Sequence, residues 1–225
     1  MCIINNSRKF IFIHVPKCAG TTLTNYYSKY STCQDVEIGG SQIGETLQPY
    51  FKKRFGITKH STISELASAL GENVLDEYFT FGFVRNPYDR VLSSFTFLRK
   101  WEHWQRHKDL IKIKDINEYI ASDFFQGAGV DRQNEAQSFW LGDSTAVDAT
   151  HVNYWGKVED IERCVAFINK KVGIVERKIA LPFKNSSRQE SISQNVELRL
   201  SKDSIKIINE RYSSDFDLYG YSMQG

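Results

Sequence analysis

Short apolar runs alternate along the chain with longer segments in which apolar residues recur every three or four positions. The runs at 9–15, 79–84 and 151–155 are rich in β-branched and aromatic residues, which predicts strands. Strands that alternate with helices indicate an α/β fold, with a central parallel sheet flanked by helices on both faces. Helices are predicted at 21–31, 62–71, 87–106, 115–124, 159–172 and 194–213, with a short element at 137–141 and a polar variable region up to residue 58.

Composition supports one folded unit. The 225 residues are 41% hydrophobic and 13% aromatic, which is enough for one large core. No Pro-, Gly- or Ser-rich linker divides the chain, so residues 1–225 are predicted to form a single domain. The formal net charge of +2 implies no strong global attraction to a membrane and argues against a nucleic-acid partner. The sequence leaves the oligomeric state open.

The segment from Phe10 to Leu23 passes from an apolar strand through a turn with one Lys and one Gly into two threonines. Gly20 lacks the Cβ that would keep backbone N–H groups away from an anion, and Thr21 and Thr22 are expected to cap the following helix. With the Lys17 ammonium beside them, these donors predict a phosphate site; an ordinary strand-turn-helix connection with a solvent-facing lysine is the alternative. The predicted anion-binding residues are Lys17, Cys18, Ala19, Gly20, Thr21 and Thr22.

A second strand-to-helix junction lies at Arg85, where Asn86 and Pro87 open a helix directly after a strand. Ser93 lies eight positions further on, a little over two helical turns, so its hydroxyl is predicted to face the strand end. An Arg fork and a Ser hydroxyl can bind one phosphate together, although pairing of Arg85 with a nearby carboxylate is the simpler alternative. Because both junctions follow parallel strands, we expect them at the same edge of the sheet.

These two motifs resemble those of sulfotransferases that use 3′-phosphoadenosine 5′-phosphosulfate (PAPS). PKCAGTT at 16–22 looks like their 5′-phosphosulfate loop, and Arg85 with Ser93 looks like their 3′-phosphate motif. The central stretch 59–90 and the tail 210–221 are most similar to sulfotransferase family 2, which acts mainly on carbohydrates.

The resemblance covers Lys9 to Tyr221 and implies the P-loop-like sulfotransferase fold. It also implies transfer of a sulfuryl group from PAPS to a hydroxyl of a carbohydrate or glycoconjugate. Lys17 is the implied catalytic cation, because an ammonium at the bridging oxygen stabilises the charge that develops there. Sulfotransferases bring a late basic loop over the nucleotide, for which Lys184, Ser187 and Arg188 are candidates; an ordinary surface loop is the alternative. This chemistry requires no metal ion.

The acceptor hydroxyl must lose a proton, and a histidine titrates in the appropriate range. His60 is the implied general base, because it lies between the two phosphate motifs where family members keep a catalytic His. His14 is predicted to be a packed or hydrogen-bonded core residue of the first strand, and His151 is a second candidate base. Contacts to the acceptor are expected from the segments 34–58 and 99–140.

The spacing of the cysteines and the length of the apolar segments indicate the cellular compartment. Cys2, Cys18, Cys33 and Cys164 show no CxxC grouping, which is typical of free thiols in a reducing compartment. No stretch approaches the roughly 20 apolar residues of a membrane span. Because the Golgi members of the family carry an anchor at this position, we expect a cytoplasmic, bacterial enzyme or an excised catalytic domain.

Two other functions compete with this interpretation. A P-loop nucleotide kinase needs G-x-x-x-x-G-K-[ST], in which Lys follows the second Gly, whereas Lys17 precedes the only Gly of its turn. A non-catalytic module of the same fold could bind a sugar or nucleotide. The presence of Lys17, Arg85, Ser93 and His60 together disfavours it.

Overall fold

The structure is a computed structural model that describes residues 2–127, 132–145, 150–176, 179, 181 and 199–225. It contains two compact units. The first consists of Met1–Arg85 and Gln137–Lys184, and the second of Asn86–Ala136 and Asn185–Gly225. That residues 1–225 form a single domain stays a prediction.

Within the described residues, the first unit is built on a five-stranded sheet with the order β3-β1-β2-β4-β5. The strands are β1 (Cys2–Asn5), β2 (Phe10–Ile13), β3 (Val36–Ile38), β4 (Phe79–Val84) and β5 (Tyr154–Lys157). β2, β4 and β5 run parallel, with Phe12 beside Phe81 and Phe81 beside Tyr154. The carboxyl ends of these three strands therefore lie at one edge of the sheet.

The sheet is mixed, so the prediction of a parallel sheet holds only for part of it. β1 pairs antiparallel with both β2 and β3, and neither β1 nor β3 was predicted. The reason is local: β1 returns through a short turn into β2, and a hairpin of this kind requires no helical crossover. β4 lies where the sequence predicts it, whereas β5 begins about three residues later than predicted.

Helices make up most of the rest of the first unit. They are α1 (Gly20–Tyr27), α2 (Gln42–Phe55), α3 (Ile63–Leu70), α4 (Glu72–Asp76), α8 (Gln137–Leu141) and α9 (Ile161–Lys171). The predicted polar variable region thus contains a strand and α2. α3 begins after Thr62, whose side chain accepts from the Glu65 N–H while the Glu65 carboxylate accepts from the Thr62 N–H, a complete capping box.

The second unit is helical in its described part. Its helices are α5 (Pro87–Lys100), α6 (His107–Leu110), α7 (Ile116–Ala121), α10 (Lys202–Arg211) and α11 (Ser213–Tyr219). α5 begins as predicted, because the Asn86 side chain accepts from the Tyr88 N–H and Pro87 occupies the first turn. It ends six residues earlier than predicted. Val91 and Phe95 from α5, Tyr119 from α7 and Ile208 from α10 form part of its buried core.

A buried arginine organises the polar interior of the second unit. Arg90 is almost fully buried and donates to the carbonyl oxygens of Gln133 (2.8 Å) and Glu135 (2.7 Å). Ser94 Oγ donates to the side-chain oxygen of Asn134 at 3.0 Å. Leaving a buried guanidinium group without acceptors would cost much stability. The carbonyl groups that accept from Arg90 are therefore held in place, and with them the short 3₁₀ helix Arg132–Asn134. Arg90 therefore has a structural function.

No helix in the described ranges is both long enough and apolar enough to cross a membrane.

Candidate active site

The predicted phosphate loop connects β2 to α1 at the carboxyl end of the parallel strands. Lys17 and Ala19 both adopt left-handed backbone conformations, with φ of 67° and 56°. Such conformations are uncommon for residues with a Cβ and cost about 1–2 kcal/mol each. The Leu23 N–H donates to the Ala19 carbonyl (3.1 Å), which starts the helix. The backbone N–H groups of Gly20 and Thr21 therefore belong to the first turn of α1, where an anion can bind.

Two details of this loop differ from the sequence predictions. Ala19 is the N-cap of α1, so Thr21 and Thr22 lie inside the first turn and do not cap the helix. The second detail is a close approach of Gly20 that was not predicted, and its expected role beside an anion stays a prediction. A Cβ on Gly20 would lie 1.7 Å from His14 Nε2, so the absence of that atom makes room for the imidazole.

His14 lies directly after β2 and is packed, as predicted, although it follows the strand and lies beside His60. Its ring centroid is 4.6 Å from that of His60. The pKa of His14 is held well below its usual value of 6.5, mainly because burial disfavours the charged ring and also because Lys59 and Lys17 are close. His14 therefore stays neutral at physiological pH.

His60 lies between α2 and α3, and its ring contacts two other rings. His60 Nδ1 lies 3.3 Å from the carbonyl oxygen of His14. A proton on Nδ1 completes this hydrogen bond and leaves the lone pair on Nε2, which is the form that a general base requires. The indole of Trp140 lies edge-on to the His60 imidazole, with 6.1 Å between the ring centroids. The preceding residue is fixed as well, because the Lys59 N–H donates to Gln48 Oε1 (2.9 Å) and Lys59 Nζ pairs with Glu45 (2.9 Å).

Gln137, at the start of α8, joins the two predicted phosphate motifs. Its Oε1 accepts from the Arg85 N–H (2.7 Å) and from the Cys18 thiol (3.2 Å), and its Nε2 donates to the Arg85 carbonyl (3.0 Å). Gln137 is completely buried. One amide side chain therefore positions both the loop after β2 and the residue after β4.

Arg85 is half-buried at the carboxyl end of β4, as predicted. Ser93 is half-buried in α5 of the second unit, eight positions along the chain. That these two side chains share one phosphate stays a prediction. The late basic residues Lys184, Ser187 and Arg188 lie outside the described residues.

His151, the second candidate base, is exposed ahead of β5. It lines a cavity of about 480 Å³ together with Trp155 and Lys157. The lining includes neither Lys17 nor His60, so this cavity is separate from the predicted site. All four cysteines are free, as predicted; Cys33 is exposed and the other three are buried.

Sequence analysis missed two residues of the site. Gln137 was assigned only to a short element, and its function depends on partners 52 and 119 positions away. His14 was placed within a strand, although its position between that strand and the Lys17 turn was a signal that it lies at the carboxyl edge.

The assembled site combines an anion-binding loop carrying a lysine, an arginine on the neighbouring parallel strand and a pair of histidines beside the loop. This arrangement can bind an anionic group at the strand ends and accept a proton close by. No curated protein and no solved structure matches the chain. A model described as "Sulfotransferase family", that of sulfotransferase family 2, matches residues 1–222, nearly the whole length. The chain therefore belongs to the sulfotransferase family.

Proposed function

We propose that the protein transfers a sulfuryl group from PAPS to a hydroxyl of a carbohydrate or glycoconjugate. The observation that carries this proposal is the hydrogen bonding of Gln137 to both Cys18 and Arg85. It holds the Lys17 loop and Arg85 on neighbouring strand ends, as the binding of the 5′-phosphosulfate and the 3′-phosphate of one nucleotide requires. The family match supports sulfuryl transfer in general.

In the proposed reaction, the acceptor oxygen attacks sulfur while the bond between sulfur and the bridging oxygen breaks. Adenosine 3′,5′-bisphosphate leaves, and the acceptor proton passes to His60. Lys17 and the N–H groups of Gly20 and Thr21 stabilise negative charge on the departing phosphate. Arg85, with Ser93 as its predicted partner, binds the 3′-phosphate. No step requires a metal ion.

The His14 contact supports the assignment of His60 as the base. The carbonyl of His14 orients the His60 ring, and the neutral His14 imidazole places no second cation beside it. A base that must gain a proton during turnover benefits from a neutral neighbour. Trp140 covers another edge of the same ring.

The first test is nucleotide binding. Adenosine 3′,5′-bisphosphate, with a chelator present, should raise the melting temperature, because the residues that bind this nucleotide come together only in the native state. Arg85→Ala should remove most of this shift, whereas Arg163→Ala, which changes an exposed arginine of α9, should retain it. A full shift in Arg85→Ala would contradict the assignment of the 3′-phosphate site.

The second test is turnover. Purified protein with radiolabelled PAPS should label a member of a panel of saccharides, lipids and small alcohols. Labelling of a saccharide would support the carbohydrate assignment. Tight nucleotide binding without transfer to any acceptor would favour a non-catalytic module, and strict dependence on magnesium with transfer from ATP would favour a kinase.

A further inference from the structure

Helix α2 exposes most of its apolar side chains. Of its fourteen residues only Gly44 is buried. Ile43 is 73% exposed, Tyr50 58% and Phe55 46%, and Leu47 is exposed as well. These positions, with the half-buried Phe51 between them, follow the spacing of one helix face, and the rings of Tyr50, Phe51 and Phe55 contact one another. We name this surface the α2 face.

The charged side chains in the last turn of α2 are all positive. Lys52, Lys53 and Arg54 form an exposed last turn, and Arg54 lies seven positions after Leu47, on the α2 face itself. The single carboxylate of the helix, Glu45, lies seven positions before Lys52 and therefore, like that lysine, on the side of α2 away from the α2 face. It is already engaged by Lys59 Nζ (2.9 Å) and the Gly40 N–H (3.0 Å).

The α2 face contributes little to folding. The helix approaches the unit through Gly44, where an added Cβ would lie 2.4 Å from the Gly39 carbonyl oxygen. Pro49 in its interior lacks the N–H that would bond to the Glu45 carbonyl. The close contact with the unit is thus made at Gly44, while Ile43 and Tyr50 stay mostly exposed, and a continuous exposed apolar face marks an interaction surface.

We propose that the α2 face docks on an anionic lipid bilayer surface. A helix with Ile, Leu, Tyr and Phe on one face and three cations in its last turn is suited to the boundary between acyl chains and negative headgroups. A second copy of the chain fits less well. Pairing two α2 faces would bury Arg54 with no carboxylate from either helix to neutralise it, which is unfavourable.

The docking surface is linked to the loop that carries His60. Gln48 and Glu45 of α2 both contact Lys59, the residue before His60. These contacts come from the side of α2 away from the α2 face, so docking leaves the loop about one helix diameter, roughly 10 Å, from the lipid surface. Docking itself does not depend on the proposed function.

The test is sedimentation of the full chain with vesicles of phosphatidylcholine alone or mixed equally with phosphatidylglycerol. The protein should bind the mixed vesicles, release them as salt is raised and bind the neutral vesicles much more weakly. Lys53→Gln/Arg54→Gln should weaken partitioning about 30-fold, from about 1 kcal/mol per cation. Leu47→Ser/Tyr50→Ser should also weaken it.

α9 offers a matched control. It ends in the exposed pair Lys170 and Lys171 and exposes Phe167, but it presents no apolar stripe comparable to the α2 face. Lys170→Gln/Lys171→Gln should therefore bind vesicles like the parent protein. Equal losses in the two charge variants would overturn the proposal, because binding would then depend on overall charge alone.

Three further results would overturn it: no binding by the parent protein, full binding by Leu47→Ser/Tyr50→Ser, or a dimer that the same variant converts to monomer. The last would identify a second copy as the occupant. Should the Ser variant not fold, Tyr50→Trp keeps the proposal testable. The emission of the tryptophan introduced at position 50 should shift to shorter wavelength when the mixed vesicles are added. No shift would contradict docking.

Discussion

Replacing Gln137 with Leu tests whether one buried amide couples the two phosphate motifs. The substitution keeps a side chain of similar volume but removes the acceptor for the Arg85 N–H (2.7 Å) and the Cys18 thiol (3.2 Å). It also removes the donor to the Arg85 carbonyl (3.0 Å). Because Gln137 is completely buried, water cannot easily take its place.

The expected loss in the free energy of unfolding follows from these hydrogen bonds. A buried backbone group left without a partner costs about 1–3 kcal/mol, and a thiol, as a weak donor, costs less. Arg85 is half-buried, so water can recover part of the loss. We therefore expect the free energy of unfolding to fall by about 2–4 kcal/mol, which lowers the Tm by about 4–16 °C for a chain of this size.

The assay compares stability with nucleotide affinity. Gln137→Leu should also bind adenosine 3′,5′-bisphosphate about 10-fold more weakly, or about 1.4 kcal/mol, because both motifs lose their common support. Asn169→Leu is the matched control: it removes a buried amide of α9 that donates to the Tyr26 hydroxyl, away from the loop. It should lower the Tm without changing nucleotide affinity. Gln137→Glu, whose buried carboxyl group can both accept and donate when protonated, should be intermediate.

Two results would refute this reasoning. An unchanged Tm for Gln137→Leu would mean that its hydrogen bonds contribute nothing. A lowered Tm with unchanged nucleotide affinity would mean that Gln137 stabilises the fold but does not position the site. If the parent protein binds no nucleotide, the proposed function fails, yet hydrogen exchange at the Arg85 amide still reports whether Gln137 protects it.

Three further predictions concern the proposed reaction and its pH dependence. His60→Ala should lower kcat by roughly 10²-fold or more with little change in nucleotide Kd, measured by turnover and calorimetry; near-normal kcat with an unaltered pH profile would contradict its assignment as base. Lys17→Ala should reduce kcat far more than it weakens binding of the desulfated nucleotide, and weaker binding with unchanged kcat would reduce Lys17 to an anchor. Because the native pKa of His14 lies well below 6.5, the unfolded chain takes up a proton there first as pH falls. Stability should thus decrease below about pH 6.5 by up to about 1.4 kcal/mol per pH unit, and denaturant unfolding should show a smaller decrease for His14→Gln.

The elements that the sequence predicted well are those with a strong local signal. β4 is a six-residue apolar run, and α5 begins with an Asn N-cap followed by Pro87, so both starting points are visible in the sequence. α2 was missed although its apolar residues have helical spacing. Gly39, Gly40, Gly44 and Pro49 suggest a loop, and only the tertiary fold shows that Gly44 serves close packing.

The candidate site was predicted for the residues whose chemistry is direct and missed where a residue acts through others. Lys17 and Arg85 carry charge next to strand ends, so their positions follow from the strand pattern. Gln137 carries no charge and belongs to no motif, and its partners are distant in sequence. The geometry of His60 likewise depends on His14, 46 positions earlier.

The contact between the His14 imidazole and Gly20 means that these two positions cannot vary independently. Any side chain at position 20 places a Cβ about where His14 Nε2 lies, so its acceptability depends on what occupies position 14. Gly20→Ala alone should displace the His14 ring, which is the ring that lies beside His60. In His14→Ala/Gly20→Ala the space is restored, so the Ala at position 20 should be much less harmful in this background. A library randomised at both positions should therefore return pairs in which a residue larger than glycine at 20 accompanies a small one at 14.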